Sequence, residues 1–191
     1  MNLSPLSWQS LSLAHTFQLT GEQVNFFDFQ PKAQQALSLF KSQEMGSLLV
    51  VKSEVLPEFL DELSIQLSIE NSQPVIVRTE FKASHLFGYT LFLEKENCIE
   101  TIEGAIQQAK NGILVLRLNT LLHDLKQWDK LKQALLFGFY EQNAVNHVPE
   151  ALPAIQSPFK LLLVGSREDI CSLPMMAICI NSPNIPKLIH F

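Results

Sequence analysis

The chain lacks several features that would place it at once. No basic run exceeds two residues, and the formal net charge is −5. A nucleic-acid surface needs clustered Lys and Arg, so this balance argues against such a partner. No apolar run approaches the ~20 residues of a membrane-spanning helix. Residues 1–10 show no basic region followed by an apolar core, so no signal peptide is read there. Cysteine is scarce, with only Cys98, Cys171 and Cys179. An odd count without framework spacing argues against a disulfide scaffold and suits a reducing cytoplasm, where the protein is expected. Cys171 and Cys179 are too far apart for a C-x-x-C redox pair. The histidines at 15, 85, 123, 147 and 190 show no metal-ligand spacing. No internal repeat is present.

What remains is an apolar, ordered chain. Of its 191 residues, 47% are hydrophobic and 17% charged, enough for a sizeable core in one domain. Residues 1–27 read as a Ser- and Leu-rich lead-in. Asp28 and Pro31 open a helix with Ala33, Ala36, Leu37 and Phe40 on one stripe, and Gly46 stops it. The run 48–51 is a first strand. Ser53 or Glu54 then opens a helix with Phe59, Leu60, Leu63 and Leu67 at helical spacing. Pro74 precedes a second strand at 75–77. Residues 80–100 mix aromatic and charged residues and have room for a hairpin. A short helix at 102–110 ends at Asn111-Gly112, a natural left-handed stop. A buried strand follows at 113–118. One long helix is expected from Asn119 or Thr120 to Gly138, with Leu121, Leu125, Trp128, Leu131 or Lys132, and Leu135 inward.

Residues 141–158 carry Pro149, Pro153 and Pro158 and read as a loop before a buried strand at 159–164. Residues 174–191 show no period and read as an irregular tail, which makes 28–173 the folded domain. Strands alternating with helices imply an α/β fold, a parallel sheet of four or five strands with helices on both faces. Ligands of such sheets lie beyond the carboxyl ends of the strands. That edge carries Lys52, Ser53, Arg117, Asn119, Ser166 and Arg167.

Four segments together resemble the N-terminal AAA+-type region of bacterial Lon protease homologues. Residues 29–37, Phe-Gln-Pro-Lys-Ala-Gln-Gln-Ala-Leu, look like that family's opening helix. His85-Leu86-Phe87-Gly88 looks like its Leu-Phe-Gly element. Residues 103–116 look like its Gly-Ala-Ile segment, which runs through Asn-Gly into an apolar strand. Residues 159–167 look like the strand that carries its first sensor. The resemblance implies a three-layer P-loop NTPase (RecA/AAA+)-like fold and an ATP-dependent serine protease lineage.

The departures are specific. A working member continues its first strand into G-x-x-x-x-G-K-[ST], whose backbone N–H groups wrap phosphate while the Lys neutralises it. Here Lys52-Ser53 mimics the final pair, but no glycine precedes it and Glu54 follows. The second motif needs an Asp for Mg²⁺ and a Glu for water, and Arg117-Leu118 stands there. A residual site for ATP and Mg²⁺ would have to use Lys52, Ser53 and Ser166. The expectation is instead that no cofactor is held.

The family's helical lid and Ser–Lys protease domain have no counterpart in this sequence, so no catalytic residue is assigned. A truncated product and a stand-alone module both stay open. Relatives form hexamers held by nucleotide and lid contacts, so a monomer or weak dimer is expected here.

Three functions compete: a nucleotide-dead AAA+-like scaffold or partner-binding module of a proteolysis system, a residual ATP-binding protein, and a free-standing regulatory interaction protein. The expected partner is a protein substrate or a subunit. The aromatic cluster Phe81, Phe87, Tyr89 and Phe92 is either buried or an interaction surface, and Phe87, Tyr89 and Phe92 are its candidate contacts.

Overall fold

Apolar strands with no polar alternation form one fully parallel sheet. The computed structural model describes residues 27, 30–42, 47–69, 72–148, 152–172 and 188–190. The sheet contains β1 (Leu48–Lys52), β2 (Val75–Arg78), β5 (Ile113–Arg117), β9 (Lys160–Gly165) and β10 (Leu188–His190). Its order is β10-β1-β9-β5-β2. In register, Val50 faces Leu163 of β9 and Leu188 of β10, and Val115 faces Leu162. Successive side chains point to opposite faces, so strands apolar throughout need cover on both.

Two core clusters give that cover. On one face Leu49, Val51, Ile113, Val115, Leu162 and Val164 meet α1 (Pro31–Lys41) and α2 (Pro57–Ser68). Phe27 is fully buried there and stacks on Phe59 at 5.9 Å. On the other face Val50, Leu114, Leu116, Leu161 and Leu163 meet four helices. These are α3 (Ala83–Phe87), α4 (Ala105–Gln108), α5 (Leu118–Leu122) and α6 (Leu125–Phe137). A last short helix, α7 (Arg167–Cys171), follows β9.

Between β2 and β5 the chain leaves the sheet. Strands β3 (Tyr89–Leu93) and β4 (Cys98–Ile102) form an antiparallel hairpin, and β7 (Asn143–Ala144) pairs with β3 in parallel. Strands β6 (Phe139–Tyr140) and β8 (Ile155–Gln156) form a two-stranded ribbon.

Several boundaries differ from the sequence reading. The helix expected from Ser53 or Glu54 begins at Pro57, because Pro suits the first helical position and Leu56 before it is extended. The single long helix after β5 is two. The Asp124 side chain accepts from the backbone N–H of Lys126 and Gln127, which caps and restarts the helix at Leu125. Its end at Gly138, φ 72°, is as expected. Asn111 adopts φ 58°, the left-handed stop read from Asn-Gly. The loop 141–158 contains β7 and β8. The supposed irregular tail supplies β10, so residues 188–190 belong to the domain's sheet. The expected helix cap at Asp28, the stop at Gly46, Pro149, Cys179 and nearly all of the lead-in lie outside the described residues.

Candidate functional site

The carboxyl edge of the sheet brings the candidate nucleotide residues side by side. Lys52 pairs in register with Gly165, and Arg117 with Val164. After β1, the Ser53 and Leu56 N–H groups are already bonded within the chain. The Ser53 N–H donates to the Gly165 carbonyl at 3.0 Å, and the Ser53 hydroxyl donates to the Glu54 carbonyl at 3.1 Å. Only residues 53–56 separate β1 from α2, and none is glycine. In a phosphate-binding loop the Lys-[ST] pair opens the helix. Here it sits at the strand end, and Leu56, Pro57 and Glu58 open the helix. Pro57 has no N–H to offer, and Glu58 places negative charge in the first turn. The Lys52 ammonium has no hydrogen-bond or ion-pair partner among the described residues.

The ends of β5 and β9 are closed by their own contacts. Arg117 Nη1 pairs with Glu80 Oε1 at 3.2 Å. Leu118 is fully buried as the first residue of α5. The Ser166 hydroxyl oxygen accepts from the Asp169 N–H at 3.2 Å, and the Asp169 carboxylate accepts from the Ser166 N–H at 3.0 Å. This reciprocal capping box commits Ser166 to starting α7. The Asn119 side-chain amide donates to Asp169 at 3.1 Å. Partial burial raises the Asp169 pKa, but the Asn119 and Ser166 hydrogen bonds and the Arg117 charge outweigh it, so the carboxyl is held below its ordinary value.

A second region is built around the hairpin. Phe87 is 1% exposed and meets the Tyr140 ring edge-on at 5.6 Å, with the Lys130 ammonium 4.8 Å from its centroid. It is a core ring, so it offers no surface to a partner. Tyr89 and Phe92 are half-buried. The Tyr140 hydroxyl donates to the Phe87 carbonyl at 3.0 Å. Burial pushes this phenol well above its ordinary pKa, and the Glu103 charge adds to that.

The hairpin base is pinned. A Cβ on Gly104 would run into the Gly88 N and the Leu86 carbonyl, and Gly88 holds φ 70°. The buried Gln142 accepts from the Thr90 hydroxyl at 2.8 Å and donates to the Ile102 carbonyl at 3.2 Å. The Asn146 side chain brackets the Phe92 backbone, accepting from its N–H at 2.8 Å and donating to its carbonyl at 2.7 Å. Gln142 and Asn146 lie in a stretch that read as a loop, and their partners are more than 35 residues away, so no local signal marks them.

Two open clefts flank this small sheet and share Gln142 and Leu152. One, of about 430 Å³, is lined by Glu141, Asn146 and His147. The other, of about 250 Å³, is lined by Thr90, Ile99, Thr101, Pro153 and Ile155. Neither is at the carboxyl edge of the main sheet. Among the described residues no cluster of His, Cys, Asp and Glu is arranged to hold a metal ion.

The model of the LonB-like AAA domain family matches residues 71–173. The chain belongs to this family. The match begins just before β2 and ends after α7, so it takes in the hairpin, β5 and the capped end of β9. A Lon protease homolog of Haemophilus influenzae is 25% identical over 88% of this chain. The LonB-like chain spans 35% of the length of that relative. The resemblance read from the four sequence segments is therefore borne out.

Among solved structures, NtrX from Brucella abortus in complex with ADP superposes with a TM-score of 0.56 at 12% identity. That match covers 97% of this chain and 41% of NtrX. A second NtrX structure gives 0.50 at 14% identity, over 74% of this chain and 31% of that one. At such identities the likeness shows the fold alone: a three-layer, P-loop-NTPase-like α/β domain. No helix among the described residues is long and apolar enough to cross a membrane.

Proposed function

We propose that this LonB-like domain is a partner-binding scaffold of an ATP-dependent proteolysis system that has given up nucleotide chemistry. The observation that carries this is the connection from β1 to α2. Four residues without glycine, one of them tied to β9 by its N–H, leave no backbone nest for phosphate. Lys52 and Ser53 stand at the strand end rather than at the helix start, where a phosphate would lie. The opposite wall supports the same reading. A cation, Arg117, already paired with Glu80, holds the place of a Mg²⁺-binding carboxylate, and Ser166 is engaged as a helix cap. These residues do not fit ATP and Mg²⁺, so no catalytic step is derived through them.

What the domain retains is a rigidly based hairpin beside two clefts. That supports a protein substrate or partner subunit as the ligand, with Tyr89 and Phe92 as contact candidates and Phe87 as their support. A free-standing regulatory protein would use the same surface without a protease. The likeness to a Lon protease homolog favours the proteolytic context.

Titration with a fluorescent ATP analogue and Mg²⁺ tests the reading. The expected result is no saturable binding up to millimolar concentration, in the native chain or in Arg117→Asp. Saturable binding that Lys52→Ala abolishes would establish a working nucleotide site and overturn the proposal.

A further inference from the structure

Strand β4 stands at the open side of the small sheet. The order is β4-β3-β7, so among the described residues β4 pairs only with β3. The neighbours of β3 reveal which β4 groups face outward. The Phe92 backbone gives both its polar groups to Asn146, and the Thr90 carbonyl accepts from the Val145 N–H at 2.9 Å. Phe92 and Thr90 therefore turn their backbones toward β7, away from β4. Their register partners Ile99 and Thr101 form the non-hydrogen-bonded pairs of the hairpin. The N–H and C=O groups of Ile99 and Thr101 consequently point to the free edge. Every residue from Cys98 to Thr101 is exposed. Unpaired edges of this kind are templates for another strand.

The two faces of β4 differ. Ile99 and Thr101 share one face with Thr90 and open onto the 250 Å³ cleft, whose other walls include Leu152, Pro153 and Ile155. Glu100 lies on the opposite face, opposite Leu91, and the turn adds Glu94 and Glu96 against the single Lys95. A strand added beside β4 would alternate in the same way. Its residues on the cleft side meet apolar walls, and those on the other side meet Glu100.

We infer that β4 takes an extended basic peptide by strand addition, with apolar side chains directed to the cleft and Lys or Arg directed to Glu100. This rests on the partner-binding reading above and names the chemistry of the partner. The charges decide the occupant. A second copy of the chain would bring its own acidic β4 against this one, whereas a Lys- or Arg-bearing strand is complementary.

The test is fluorescence anisotropy of a labelled peptide of alternating valine and lysine, with alternating valine and glutamate as the comparison. The lysine peptide binds saturably, the glutamate peptide does not, and added salt weakens binding. Glu100→Lys, an exposed substitution, weakens it at least about threefold. Ile99→Pro removes an outward N–H without touching the ladder to β3 and weakens binding about tenfold beyond Ile99→Ala, which removes only the side chain. Circular dichroism and urea midpoints confirm that each variant is folded. Absence of binding at millimolar peptide, equal binding of both peptides, or indifference to Glu100→Lys overturns the inference. So does a dimer that Ile99→Pro dissolves, because the edge then belongs to a second copy. Nucleotide binding is measured separately, so loss of the scaffold reading and loss of the peptide site are distinguishable.

Discussion

Two glycines decide whether the hairpin has a fixed base. Gly104 lies so close to Gly88 and the Leu86 carbonyl that an added methyl would meet backbone, which cannot swing aside as a side chain can. Gly104→Ala is expected to lower unfolding free energy by about 1–3 kcal/mol, the usual range for overpacking. Gly138→Ala is the comparison, since its Cβ would find only Pro158, at 3.9 Å, and would carry only left-handed strain of about 1 kcal/mol. Urea denaturation of both variants checks this, and a Gly104→Ala midpoint equal to that of Gly138→Ala would refute the close approach. Asp169 gives a pH signature at the same scale. Its folded pKa lies below the ordinary 3.8, so the unfolded chain takes up the proton first as pH falls. Its stabilising contribution is complete above about pH 4 and is lost as pH falls through the folded value. Asp169→Asn should therefore narrow the difference in stability between neutral pH and pH 3, measured by thermal unfolding. An unchanged difference would show that the Asn119 and Ser166 contacts do not hold the carboxylate.

Elements in this chain were legible where their signals are local. The strand after Asn111-Gly112 follows from a left-handed turn and a short apolar run, and the α2 core face follows from the spacing of Phe59, Leu63 and Leu67. The missing phosphate glycines were equally plain. What escaped depends on partners distant in sequence. The carboxyl end of α1 is capped by Lys160, whose ammonium donates to the carbonyls of Phe40 and Lys41, more than 115 residues earlier. Lys41 in turn donates to the Gln66 and Ile69 carbonyls at the end of α2. Cations at helix carboxyl ends satisfy orphan carbonyls and suit the dipole, but neither lysine announces its target. Lys160→Met keeps the stem and removes the donors, and should cost about 1–3 kcal/mol. The break between α5 and α6 is the opposite case. Its cap, Asp124, is local, but continuous apolar spacing from Leu121 to Leu135 favoured one helix over two. Asp124→Ala should cost about 1 kcal/mol in urea denaturation. No loss would mean that packing of Trp128 and Leu131 alone fixes the restart.

At the scale of the whole molecule, the strand order couples the end of the described chain to its first strand. Strand β10 lies beside β1, with Val50, Val51 and Lys52 facing Leu188, Ile189 and His190. A sequence window cannot anticipate this, because three residues carry no period and parallel pairing at such separation is set by the sheet rather than by a turn. The pairing has a mechanical consequence. Without β10 the sheet would end at β1, exposing the unpaired backbone of an apolar strand whose Leu49, Val50 and Val51 are buried. Deleting residues 188–191 removes the hydrogen bonds of three residue pairs, each worth about 1 kcal/mol. The truncated chain should lose about 2 kcal/mol or more in urea denaturation. It should also associate more strongly than the native chain at equal concentration, because a bared apolar edge invites pairing with another copy. A truncated chain that unfolds at the native midpoint and stays at the native sedimentation coefficient would show that β10 does not close the sheet. If association appears without loss of stability, the strand works chiefly as a guard against edge-to-edge pairing rather than as part of the core.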